Sequence, residues 1–150
     1  MSGRQKLKRI GRLVDVRERE RDGAQAELAA AKRATEAALA AVQRAEESWN
    51  GEASKAAGSA PMAVHEFALQ RMHLLTLRRA IDLARADHER AQTHEQAMLE
   101  AATAAQRELR KMEIWREAET ERQRVERERV DQITTDEIAA RGVHRPAPNR

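Results

Sequence analysis

Apolar residues recur alternately three and four positions apart over two long stretches, Leu7 to Trp49 and Phe67 to Met112, and one run rich in helix breakers, Asn50 to Pro61, separates them. That period places its apolar members on one face of an α-helix, so each stretch must bury a narrow stripe against a partner helix. The fold expected is all-α: an antiparallel two-helix coiled-coil hairpin with a longer, overhanging C-terminal helix.

In the first arm the stripe runs Leu7, Ile10, Val14, Arg17, Arg21, Ala24, Leu28, Ala31, Thr35, Ala38, Val42, Ala45 and Trp49. Ten of these thirteen are apolar, enough to define a buried face. Many are alanine, which lets backbones approach closely but buries little per layer, so such a seam holds by length at about 25 cal/mol per Å² of apolar surface. Asn50, Gly51, Gly58, Ser59 and Pro61 then weaken helix, glycine by backbone entropy and proline by its missing N–H; helix 1 should end near Trp49, although Glu52 to Ala57 could prolong it. Pro61 suits the first turn of a new helix. The second stripe is Phe67, Leu74, Leu77, Ile81, Ala84, His88, Ala91, Met98, Ala102, Ala105, Leu109 and Met112, with Gln70 and Glu95 as polar exceptions, and no glycine or proline follows before Gly142. A single coiled-coil domain is expected, with helix 1 over about 5–50, a tip at 51–61, helix 2 over about 62–141 and a disordered tail at 142–150.

Composition narrows the function classes. With 2% aromatic and 35% charged residues the chain lacks the apolar bulk of a large globular core. The absence of cysteine excludes disulfides, thiolate catalysis and cysteine metal sites. The start, MSGRQKLKRIGRLVDV, is basic without the apolar run of a signal peptide, and nothing approaches the roughly 18 apolar residues of a membrane span. A soluble, cytoplasmic chain without direct membrane insertion is expected.

Pairing the arms antiparallel around that tip places Trp49 near residue 63 and Leu7 near residue 105. The helix from there to Arg141, on the order of 50 Å, then has no intramolecular partner. Its sequence, EAETERQRVERERVDQ, sets opposite charges three or four apart: Glu121 with Arg124, Arg122 with Glu126, Arg124 with Glu128 and Arg127 with Asp131. Such pairs support a helix without a continuous seam.

No catalytic, cofactor or metal site is expected. His65, His73, His88, His94 and His144 include no two at three- or four-residue spacing, a two-helix rod offers no concave pocket in which to tune a carboxylate pair, and the glycines form no phosphate loop. Arg4, Lys6, Lys8, Arg9 and Arg12 make a basic end, read either as solvated charge at a helix start or as a contact for an acidic surface. Nucleic-acid binding is disfavoured, because no aromatic residue is interleaved for stacking and acids soon dilute the patch. The segment Phe67 to Leu83 holds more apolar residues than one facing helix can bury. It is either a stronger core or short third helix at the tip, or a docking patch. Trp115, with Met112 and Ile114, lies beyond the expected overlap and either caps the seam or contacts another chain.

These residues, in this order, resemble the FliJ/YscO family of coiled-coil stalk proteins of flagellar and virulence type III export machines. The resemblance covers nearly the whole chain: the opening KLKRIGRLVDVRERERD, the breaker segment near the first third, the stretch KMEIWRE, which is similar to a leucine-and-glutamate pattern of the family, and the ending DEIAAR at Asp136 to Arg141. It implies a non-enzymatic stalk or regulator of a hexameric export ATPase, flagellar before virulence, cytoplasmic and peripherally associated with the export apparatus at the inner membrane. The end bearing both termini would enter the ATPase ring, through Arg4, Lys8, Arg9, Met112, Trp115, Arg122, Arg129, Asp136, Glu137 and Arg141. The early second helix would meet the cytoplasmic domain of the export gate through Phe67, His73, Leu77, Ala80 and Ala84. Flagellar relatives carry an aromatic residue and a histidine where this chain has His73 and Ala84, and some relatives escort export chaperones. The alternative is a generic coiled-coil scaffold or adaptor that dimerises through its C-terminal overhang.

Overall fold

The computed structural model describes residues 2–143, which form two α-helices, α1 (Gly3–Ala57) and α2 (Val64–Val143), packed on each other as a helical hairpin. No strand occurs among the described residues. Gly142 and Val143, expected in a disordered tail, belong to α2, and the rest of that tail, with His144, lies outside the described residues.

Local chemistry fixes the helix starts. Ser2 Oγ accepts from the Gln5 N–H at 3.3 Å while Gln5 Oε1 accepts from the Ser2 N–H at 3.1 Å, a reciprocal cap that begins α1 at Gly3. Glu66 Oε2 accepts from the Ala63 N–H at 3.3 Å, and its charge favours the positive end of α2. Helix therefore restarts at Val64, and Pro61 stands in the connection instead of in the first turn.

The end of α1 takes the longer of its two expected courses. Asn50 and Gly51 do not stop it; the helix continues to Ala57, so the connection spans 58–63. Trp49, Glu52, Ala53 and Ala56 are half-buried on one face there. Packing of that face outweighs the glycine penalty of about 1 kcal/mol. The helix closes with the Gly58 N–H donating to Ser54 O at 3.2 Å and Ser59 Oγ donating to Lys55 O at 2.9 Å.

The hairpin comprises two compact units: Arg21–Ala105, and Met1–Glu20 with Gln106–Arg150. In the first, Ala31, Val42, Ile81 and Ala102 are buried among half-buried neighbours at heptad spacing, and Arg85 Nη2 reaches Glu46 Oε1 across the pair at 2.7 Å. Two of the four buried residues are alanine, so the layers are thin. In the second unit Ile10, Val14 and Leu109, at most 1% exposed, form a compact cluster with Met112 packed against it.

In that second unit the register also differs from expectation. Lys6 lies against Glu119 and Gly3 against Gln123, whereas a tip at 51–61 would have brought Leu7 to residue 105. Continuing α1 past Asn50 moves every pairing further along α2. Trp115 consequently lies within the paired region, flanked by the contacts of Leu109 and Glu119.

Candidate functional site

The paired region ends in a polar layer that the apolar pattern did not reveal. Counting on from Leu109 and Met112 at heptad spacing gives positions 116, 119 and 123, and counting back from Leu7 gives Gly3; the seam thus continues with polar occupants. Glu119 is 6% exposed, with Lys6 Nζ at 2.8 Å and Arg122 Nη1 at 3.2 Å from its Oε2. The Lys6 ammonium does most to hold the Glu119 carboxyl below the usual carboxylate range, with Gln123 and the charge of Arg122 adding to it and loss of water opposing it. Gln123 Nε2 donates to the Gly3 carbonyl oxygen. A Cβ on Gly3 would stand 2.9 Å from Gln123 Cδ, so glycine here lets the amide lie across the start of α1.

Past this layer α2 is bare: every residue from 124 to 143 is exposed. Arg124 joins Glu121 at 2.6 Å and also pairs with Glu128, two of the ion pairs read from the sequence. Arg122 turns to Glu119 in place of Glu126, and Arg127 and Asp131 form no ion pair among the described residues. Arg124 holds Glu121 below the usual carboxylate range, and Glu121 and Glu128 in turn push the guanidinium further up. These exposed pairs stabilise the helix only weakly, because water and salt screen them. Val125, Val130, Ile133 and Ile138 are exposed among them.

The residues that the resemblance associates with the ring are therefore dispersed. Arg4, Lys8 and Arg9 are exposed on the first turns of α1, while Met112 is engaged in the core cluster. Trp115 is 38% exposed on the flank of the pair, and Arg122 is tied to the polar layer. Arg129, Asp136, Glu137 and Arg141 lie along the bare helix, Arg129 with Glu126 at 3.9 Å.

Early in α2 the surplus of apolar residues is resolved by exposure. Leu74, Leu77 and Ile81 enter the seam, whereas Phe67, Leu69, Met72, Leu75 and Leu83 face solvent, and among the described residues no third helix folds over them. Of the residues associated with the gate, His73, Leu77, Ala80 and Ala84 share one arc of the helix at about 100° per residue, and Phe67 stands apart from it. Leu77 and Ala84 are half-buried in the seam; Ala80 and His73 are exposed, with His73 Nε2 4.0 Å from Glu52 Oε2.

No group of three or more His, Asp or Glu side chains suited to a metal ion occurs among the described residues. No helix of the described residues is long and apolar enough to cross a membrane. The family model described as Flagellar FliJ protein matches residues 5–148. No curated protein matches the chain, and no solved structure does.

Proposed function

The chain belongs to the FliJ family, whose members serve flagellar protein export, and from that membership we propose that it is a non-enzymatic stalk and regulator of the hexameric ATPase of a flagellar type III export apparatus. The end that carries both termini, with the bare helix 124–143, enters the ATPase ring. The arc of His73, Leu77, Ala80 and Ala84 meets the cytoplasmic domain of the export gate, and so links ATPase and gate at the inner membrane.

One observation carries the reading: α2 outlasts its partner by about 30 Å of helix at 1.5 Å per residue, with all of its residues exposed and both signs of charge interspersed. A single helix of that kind presents no apolar face that would fix it to one subunit, so it suits a central position among repeated, equivalent contacts. The coupling is mechanical and electrostatic, and asks for no pocket and no cofactor.

The test is ATP hydrolysis by the purified cognate ATPase. Full-length chain raises the rate or promotes hexamer assembly, and a chain ending at Gln123 does neither while keeping its helicity. Unchanged hydrolysis at saturating full-length chain would overturn the proposal. A stable dimer in light scattering, lost with residues 124–150, would favour the scaffold reading.

A further inference from the structure

We propose that a cleft in the unit Arg21–Ala105 receives an amphipathic helix of a partner protein whose apolar face is bordered by acidic residues spaced one heptad apart. The cleft, about 420 Å³, is floored by Trp49, Leu74 and Leu75 and edged by Phe67, Arg71 and Arg78. It lies on the flank of the seam opposite the arc of His73, Leu77, Ala80 and Ala84, as the helical angle of about 100° per residue requires.

Two features select the occupant. Phe67 is 56% and Leu75 55% exposed, and Phe67 also lines a second cleft of about 530 Å³ at the connection, so the apolar surface continues along α2 as a trough instead of closing into a small-molecule pocket. Its charge is of one sign. Arg71 and Arg78 line the cleft and no acidic side chain does; Arg71 forms no ion pair with any described residue, and Arg78 has only Asp82 at 3.9 Å. The two arginines are two turns apart, about 10.5 Å along the axis. A helix laid in the trough meets them with carboxylates at i and i+7 and fills the apolar floor with the large side chains between. Each Arg–carboxylate contact made against such a floor is partly shielded from water, which gives the acidic helix its advantage over a neutral or basic one.

The probes are two synthetic amphipathic helices, each about three heptads long, with identical leucine faces bordered by Glu in one and by Lys in the other. Binding is read from Trp49 fluorescence in full-length Trp115→Phe chain, with circular dichroism confirming that each variant is folded. The Glu helix binds at least about tenfold more tightly than the Lys helix, a difference of about 1.4 kcal/mol. Arg71→Glu with Arg78→Glu reverses that preference, Leu75→Asp abolishes binding, and Ala80→Asp leaves it unchanged. Equal binding of the two helices, failure of the reversal, or no binding by folded chain overturns the proposal. So does Leu75-dependent self-association, or Leu75-dependent sedimentation with acidic phospholipid vesicles, in place of helix binding.

Discussion

Lys6 Nζ stands 2.8 Å from Glu119 Oε2, and this contact joins the start of α1 to the last shielded layer of α2. Glu119 occupies a seam position with 6% exposure, so its carboxylate depends on Lys6 and Arg122 for the compensation that water supplies elsewhere. Lys6→Glu should lower the melting temperature by several degrees, and the exchange Lys6→Glu with Glu119→Lys should recover part of the loss. Thermal melts by circular dichroism read both, and a double variant no better than the single one would show that pairing is not the source of the effect.

The same carboxyl sets a pH dependence. Its folded pKa is lowered, so the stabilisation is present above the ordinary glutamate value of about 4.3 and is lost as pH falls through the folded value. Glu108, held low by Lys111, and Glu121, held low by Arg124, carry the same sign. The stability difference between wild type and Glu119→Gln should therefore shrink below about pH 4. Urea titrations at neutral pH and near pH 3 measure it.

Ile10, Val14 and Leu109 are the largest fully buried side chains, in a seam otherwise rich in alanine. Leu109→Ala should cost about 2–5 kcal/mol, since it opens a cavity in that cluster. Leu99→Ala, at a position 44% exposed, should fall within about 0.5 kcal/mol of wild type. Urea midpoints compare the two at constant m-value.

Two truncations separate support from function. A chain ending at Gln123 keeps Glu119 and the Gly3 contact, so it should melt as the full chain does while losing ATPase stimulation. A chain ending at Trp115 also loses the polar layer and should melt earlier. Stimulation that survives in the first chain would place the effector end elsewhere.

For the gate, Ala80→Asp is the informative change, because Ala80 is exposed while Leu77 is half-buried in the seam. Ala80→Asp should weaken capture of the gate's cytoplasmic domain about tenfold or more, with melting and ATPase stimulation intact. Leu77→Asp should impair capture and stability together, since it places a charge against the facing helix.

Heptad spacing told the buried face of each helix with little loss. Each first-arm seam position from Leu7 to Trp49 is shielded, and in the second arm Phe67 alone faces solvent. What the spacing did not fix was register. Asn50 and Gly51 carry a local cost that weighs toward a stop near Trp49, yet Trp49, Glu52, Ala53 and Ala56 continue one packed face through them, and that tertiary contact outweighs a penalty of about 1 kcal/mol. The consequence runs the length of the pair: Trp115 lies inside the overlap, and the free helix is about 20 Å shorter than a tip at 51–61 predicts. The apolar pattern ends at Met112 and so does not mark Glu119 and Gln123, although the same spacing, continued without regard to polarity, reaches both. The two arginines of the cleft were legible only as charges, since their common wall with Trp49 depends on how far α1 runs.

The polar layer also acts as a ruler. Because Glu119 meets Lys6 and Gln123 meets Gly3 at the very start of α1, the reach of the unpaired helix is set by where α1 begins in the register of α2 and not by total chain length. Sliding the register of the two helices by one heptad would lengthen or shorten that reach by about 10 Å with both helices unchanged in length. The polar partners oppose such a slide, because it would leave the shielded Glu119 carboxylate without its ammonium.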